Sequence, residues 1–326
     1  MTSRIVRLFV ILFSCGSLSA QMPEVVFMPH WLPQAQFAGY YVAQEKGFYE
    51  EAGIKVKIVH PSASIMPTES LLSGKVDVIS LFLVTAMTTV GNGAEMVNIA
   101  QMSQNSALLF VTKKSKNIKT IQELSGKKIG IWKSGFDEIP KSLVNSLNIK
   151  VTWVPILSSI NMFMLDGVDA MTVMWYNEYD QIINAGYNSE ELNTFFFSRH
   201  GCNMPEDGLY CLKNTYNTRK QDLRKFAEAS LKGWEYAETH PEETIEIVLE
   251  VMKKNHIPTN YAHQQWMLEK VLELMKPPLE KGNKGYLSEI TYEKAAKKLL
   301  SNGFLKSITP YSEFFKPVLS FKNDDQ

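Results

Sequence analysis

Short apolar runs alternate with amphipathic stretches along much of the chain, a rhythm of buried strands separated by helices. The first series predicts strand 25–28, helix 37–46, strand 54–59, helix 66–73, strand 76–80, helix 83–91 and strand 96–101. A continuous apolar strand, Ala107–Thr112, then carries the chain away. The rhythm restarts with helix 121–124, strand 128–132, helix 138–146, strand 150–155, helix 159–165, strand 169–174 and helix 177–185. Phe195–Ser198 reads as a returning strand. From Tyr210 onward helical periodicity dominates, over 218–238, 242–254, 260–275 and 291–301, punctuated by Pro241, Pro258, Pro277-Pro278 and Gly303.

Two stretches echo one another. Leu72-Ser73-Gly74-Lys75-Val76-Asp77 and Leu165-Asp166-Gly167-Val168-Asp169 each end a helix at Gly and begin a strand at Val-Asp. The simplest architecture is α/β, with one lobe inserted in another and C-terminal helices closing the pair. It assigns residues 21–108 and 200–326 to a discontinuous first lobe and 109–199 to a second, joined by two hinge-crossing strands. A cleft between such lobes suits closure around a small molecule.

The stretch Trp31-Leu32-Pro33-Gln34-Ala35-Gln36-Phe37-Ala38-Gly39-Tyr40-Tyr41 follows the first strand and leads into a helix. It sits where ligands meet open α/β sheets, beyond the carboxyl end of a strand. Trp31, Phe37 and Tyr40 are therefore candidates for flat apolar contacts, although Phe37 and Tyr40 lie on a helix that must also bury one side. Gln34 and Gln36 are candidates for hydrogen bonds to ring nitrogens or carbonyls. In the second lobe Trp175, Tyr176, Asn177 and Glu178 occupy the matching place. A carboxylate there could accept from a ligand amino group, or serve only as a helix N-terminal charge. Ser62, Ser64 and Ser80 follow strand ends and could meet polar edges or act as ordinary turn residues. Gly135-Phe136-Asp137-Glu138 is placed analogously after strand 128–132. His30 adjoins Trp31 and reads as structural unless it reaches the site. Glu206 and Asp207 lie in a turn-rich segment and could bind across the cleft, although a surface loop is the favoured expectation.

The N-terminus changes the picture of where the protein works. Arg4 and Arg7 precede the apolar run Leu8–Phe13, and small residues lead to Ala20, so residues 1–20 read as a cleavable export signal. Acylation at Cys15 is a second outcome, less favoured because Phe13 fits a lipoprotein pattern poorly. No other run is apolar enough to cross a membrane. The expected location is periplasmic or otherwise extracytoplasmic, with membrane contact only through a permease or a lipid anchor at Cys15.

Lys+Arg and Asp+Glu both total 34 of 326 residues, so no basic field for nucleic acid exists. Cys202 and Cys211 flank the segment Asn203–Gly208, and export would allow a disulfide across it, two unpaired thiols being the alternative. The six His residues show no metal-ligand spacing. No nucleophile elbow, phosphate-cradling loop or paired catalytic carboxylates stand out. Neither enzyme activity nor a cofactor nor a metal is expected.

The run from Trp31 to Ala43, with Lys46-Gly47-Phe48-Tyr49, Gly74-Lys75-Val76-Asp77, Leu124-Ser125-Gly126-Lys127, Gly167-Val168-Asp169-Ala170 and Trp175-Tyr176-Asn177-Glu178, resembles the NMT1/THI5-like group of type II periplasmic binding proteins. The resemblance implies a two-lobed binding component of an ABC importer. Its ligand would be a small aromatic or heterocyclic nutrient, with a thiamine-precursor pyrimidine such as formylaminopyrimidine or hydroxymethylpyrimidine foremost and riboflavin or a sulfonate as alternatives. Another branch of the group comprises pyridoxal-phosphate-dependent pyrimidine synthases with an active-site Lys and His; Leu81 and Thr85 stand at those places here. Gln36-Phe37 replaces an Asn-His pair often carried by bacterial pyrimidine binders. A sensory ligand-binding module is a third class, without a fused signalling domain to support it.

Overall fold

The computed structural model describes residues 22–62, 65–132, 136–157, 159–277 and 283–321. The export signal with Cys15, as well as Ser64 and Gly135, lie outside these residues.

The first series runs β1 (Glu24–Met28), α1 (Ala38–Glu45), α2 (Phe48–Glu51), β2 (Lys55–Ile58), α3 (Pro67–Leu72), β3 (Val78–Phe82), α4 (Leu83–Gly91) and β4 (Met96–Gln101). The second runs β5 (Leu108–Lys113), β6 (Lys128–Trp132), α5 (Glu138–Ser146), β7 (Thr152–Ile156), α6 (Asn161–Met164), β8 (Ala170–Met174), α7 (Glu178–Asn184) and β9 (Leu192–Phe196). The chain then forms β10 (Asp207–Leu212), followed by helices α8 (Lys213–Thr239), α9 (Pro241–Lys254), α10 (Tyr261–Leu274), α11 (Glu289–Ser301) and α12 (Tyr311–Phe314). Strand β10 is where the tertiary structure departs most from the periodicity, which reads residues past Tyr210 as mainly helical.

The strands form two five-stranded sheets, ordered β2-β1-β3-β10-β4 and β7-β6-β8-β5-β9. In the first, β1 pairs in parallel with β2 and β3 while β10 is antiparallel to β3 and β4. The second repeats this, with β6 parallel to β7 and β8 and β5 antiparallel to β8 and β9. In each sheet the fourth strand is the one that has just crossed from the other half. This is the mixed two-sheet α/β fold expected from the alternating pattern. The Val-Asp echo has a shared structural use: Asp77 Oδ2 accepts the Val26 amide at the start of β1, and Asp169 Oδ2 accepts the Lys128 amide at the start of β6.

The two crossings are tied together. Glu206, on the second crossing, is buried and accepts the Ser106 hydroxyl at 2.7 Å and the Ala107 amide at 3.0 Å from the first. Asn203 Oδ1 accepts the Ser106 amide at 2.8 Å. Glu206 and Asp207, expected at the surface, are thus interior, because the backbone of the paired crossings leaves N–H groups that only a buried acceptor can satisfy.

Cys202 and Cys211 are both buried and free, which corrects the expected disulfide. Cys211 lies on β10, roughly 13 Å of extended strand beyond Asp207, with its amide neighbours in the β4 ladder. Cys202 stays at the end of the second half near Lys298. An extended strand between them opposes the short Cα separation that a disulfide requires.

Helix α8 packs most closely on α1, and glycines make the approach. A Cβ built on Gly233 would lie 2.0 Å from the Gly39 carbonyl oxygen, and one on Gly39 would lie 2.3 Å from the Trp234 ring. Backbone cannot yield as a flexible side chain can, so Gly233→Ala is expected to destabilise the protein by about 1–3 kcal/mol. A thermal or urea melt matching that of the parent would show that the α1–α8 contact has room to spare.

Candidate ligand-binding site

A cavity of about 560 Å³ lies between the two sheets. His30 and Trp31, after β1, and Phe82, ending β3, line it from the first sheet. Trp132, Ile156 and Met174, ending β6, β7 and β8, line it from the second. These are the carboxyl ends of the parallel strands, where side chains and helix-start backbone groups converge. Phe136 joins the two sides: its ring lies 6.0 Å from Trp31, 4.9 Å from Phe82 and 6.4 Å from Trp132, each near-perpendicular.

The polar wall of the first half is a buried network. Gln34 Nε2 donates to Gln36 Oε1 at 2.6 Å, and Gln36 Nε2 donates to both Asp207 oxygens at 3.1 and 3.2 Å. Gln36 Nε2 also lies 3.3 Å from His30 Nε2, while His30 Nδ1 lies 2.8 Å from Ser80 Oγ. Burial holds the His30 pKa down to about 3, so the ring is neutral. Its 3.6 Å approach to Asp207 is therefore a polar contact and not an ion pair. Burial also raises Asp207 to about 7, against the opposing hydrogen bond from Gln36.

On the other wall Tyr176, Asn177 and Glu178 line the cavity. Glu178 accepts the Met174 amide at 3.0 Å and the Asn177 side-chain amide at 3.0 Å. Burial raises its pKa to about 7 despite these bonds. The wall therefore presents a carboxyl group that changes charge near neutral pH. Among the described residues lining the cavity there is no Lys or Arg.

Of the residues selected from sequence, Trp31, Gln34, Gln36, Tyr176, Asn177 and Glu178 line this space. Others support it from behind. Ser80 is buried and accepts the His30 backbone amide at 2.9 Å. Phe37 is buried with its ring 5.3 Å from His30. Tyr40 belongs to the core, 4.6 Å from the Phe27 ring and 5.9 Å from Trp234. Trp175 is turned away, because neighbouring side chains at a strand end alternate in direction; it packs 5.5 Å from Phe196 and 6.4 Å from Trp266. Ser62 is exposed in a short bridge with Ile65, away from the lining. Sequence reasoning missed Phe82, Trp132, Ile156 and Met174. The strand-end rule that singles out Trp31 finds them once each strand's last residue is known.

Two mixed five-stranded sheets with a cavity between their strand ends have the fold of the type II periplasmic class. The profile of the NMT1/THI5-like family matches residues 34–244, and the chain belongs to that family. A Haemophilus influenzae protein named for thiamine biosynthesis is 25% identical over 250 residues, covering 74% of this chain and 78% of its own. A formylaminopyrimidine-binding protein of Halalkalibacterium halodurans is 23% identical over 286 residues, covering 83% and 85%. The alkanesulfonate-binding protein SsuA of Xanthomonas axonopodis pv. citri superposes with a TM-score of 0.67 at 13% identity, covering 91% of this chain and 99% of its own. Yeast 4-amino-5-hydroxymethyl-2-methylpyrimidine phosphate synthase matches only 36% of each chain, at 27% identity.

The buried carboxyls fix a pH dependence of stability. Glu206 is raised by burial to about 8, and Asp207 and Glu178 to about 7. In the unfolded chain such groups titrate near 4. The folded protein therefore holds more protons between these values, and the stability that they contribute is complete below pH about 4 and lost as pH rises through 7 to 8. The melting temperature is expected to fall by about 5 °C between pH 5 and pH 9, and less in Glu206→Gln. An equal slope in the variant would remove Glu206 from this account.

Proposed function

We propose that the protein is an exported, extracytoplasmic substrate-binding component of an ABC importer, and that it captures a neutral or amine-bearing aromatic heterocycle. Its lobes are 21–108 with 200–326, and 109–199. The observation that carries this reading is the composition of the cavity: aromatic faces from both sheets, the Gln34 and Gln36 carboxamides on one wall, Asn177 and the Glu178 carboxyl on the other, and no cationic side chain among the described lining residues. An aminopyrimidine suits that set. Its ring fits between Trp31, Phe136 and Tyr176, and its amino group can donate to Glu178 while Gln34 or Asn177 meets a ring nitrogen. The formylaminopyrimidine-binding relative supports the same ligand class.

A sulfonate would bring a permanent negative charge against buried carboxyl groups without a counter-ion, a costly arrangement. The likeness to sulfonate binders, at 13% identity, shows a shared fold. A synthase that holds pyridoxal phosphate through a lysine finds no amine in the described lining, and Leu81 lies buried within β3. Binding without chemistry is the reading that these residues support.

Mass spectrometry of small molecules released from freshly purified protein is expected to show an aminopyrimidine. Isothermal titration with 4-amino-5-hydroxymethyl-2-methylpyrimidine is expected to show binding that weakens about tenfold or more in Trp31→Ala, from lost ring contact. In Glu178→Gln the loss is similar, and the gain in affinity as pH rises from about 6 to about 8 disappears, because only the ionised carboxylate accepts fully. An alkanesulfonate that binds more tightly than the pyrimidine would overturn the ligand class.

A further inference from the structure

Helix α10 reaches both sides of the cavity. Its Gln264 Oε1 accepts the Ala35 amide, on the turn after β1, at 2.7 Å. Its Trp266 indole N–H donates to the Trp175 carbonyl, after β8, at 3.0 Å, and Lys270 lies over the rings of Trp175 and Trp266. Between these anchors His263 meets α7. Its Nδ1 lies 2.6 Å from Asp180 Oδ2 and its Nε2 lies 3.2 Å from Asn177 Oδ1.

Both ring nitrogens thus face oxygens. The end of the Asn177 amide that meets the ring is its oxygen, since Oδ1 also accepts from Gln181 Nε2 at 2.8 Å while Nδ2 donates to Glu178 Oε1. Carboxylate and amide oxygens only accept, so the doubly protonated imidazole satisfies both contacts and the neutral ring satisfies one. The charged groups facing His263 are Asp180 and Glu178, both on α7; Asp180 also accepts from Asn184 at 2.7 Å. On α10 itself Lys270 lies over the two tryptophan rings and pairs with Glu269 at 2.7 Å. His263 is buried and does not line the cavity.

We propose that His263 is a positioning residue: held by Asp180, it fixes the Asn177 side chain, which aims Glu178 into the cavity, so that α10 couples the turn after β1 to the ligand-facing carboxyl group on α7. The inference rests on the cavity being the ligand site, because only then does the aim of Glu178 govern binding. The coupling has a physical logic. A helix anchored in the first half can set the geometry of a group in the second only when the two halves are close, which makes the complete polar wall a property of the closed form.

The test has one arm without ligand and one with it. In the free protein, the Glu178 carboxyl titration is followed by carbon NMR in the parent, His263→Gln and His263→Ala, with melting curves as a check on folding. Replacing His263 is expected to raise the Glu178 midpoint by about half a unit or more in both variants. In the second arm 4-amino-5-hydroxymethyl-2-methylpyrimidine is titrated near neutral pH. Affinity is expected to drop about tenfold in His263→Ala. An unchanged Glu178 midpoint in folded variants would reduce His263 to a packing residue and overturn the proposal. A shifted midpoint in a protein that binds no pyrimidine would keep the positioning role and reject the ligand. Should the His263 variants fail to fold, Asp180→Asn frees the ring from its carboxylate and is expected to lower affinity in the same direction; parent-like binding there overturns the proposal as well.

Discussion

Each sheet is completed by a strand that the chain delivers from the opposite half, and the remaining geometry depends on that exchange. Strand β5 enters the second sheet antiparallel to β8, and β10 enters the first antiparallel to β3. The parallel strands on either side of the exchange then face one another at their carboxyl ends, and the cavity is the space left between them. The crossings cannot be bare backbone, because their N–H groups run through the interior. Asn203 answers that demand for the Ser106 amide and Glu206 for the Ala107 amide. The burial of Glu206, with the raised proton affinity that follows, is a cost of joining the halves through two adjacent segments.

The same physics shapes the site. Burial shifts the ionisable groups of the two polar walls. His30 becomes neutral, while Asp207 and Glu178 hold their protons to about pH 7. The two polar walls are built differently. Gln34, Gln36, His30, Ser80 and Asp207 are largely satisfied by one another, which gives the first wall a fixed orientation. Glu178 is held by one backbone amide and one side-chain amide, and the latter is governed from α10. A preformed wall and an adjustable one suit a protein that meets its ligand on one half before the other closes over it.

The relation between sequence and site can be followed residue by residue. Trp31 is legible because it breaks from an apolar run into a polar turn at a strand end, and Asn177-Glu178 because it opens a helix after one. Tyr40 and Trp175 carry the same chemistry but face elsewhere. Tyr40 belongs to the helix stripe packed on Phe27 and Trp234, and Trp175 has the opposite direction to Met174 and Tyr176. Their identity is a local fact; their direction depends on which neighbour each element packs against.

Periodicity, turn residues and the paired Gly-Val-Asp segments determine by themselves that the chain folds as two similar α/β halves with helices at the end. They also locate the turns that line the cavity. Those signals are local, since strand alternation, helix stripes and caps are set by residues a few positions apart. Tertiary structure alone decides that Asp207 joins Gln36 and His30 across 171 and 177 positions of chain, that Cys202 and Cys211 lie apart, and that His263 reaches Asn177. Desolvation and hydrogen-bond satisfaction act on whatever the fold brings together, and no spacing along the chain encodes which distant groups those are.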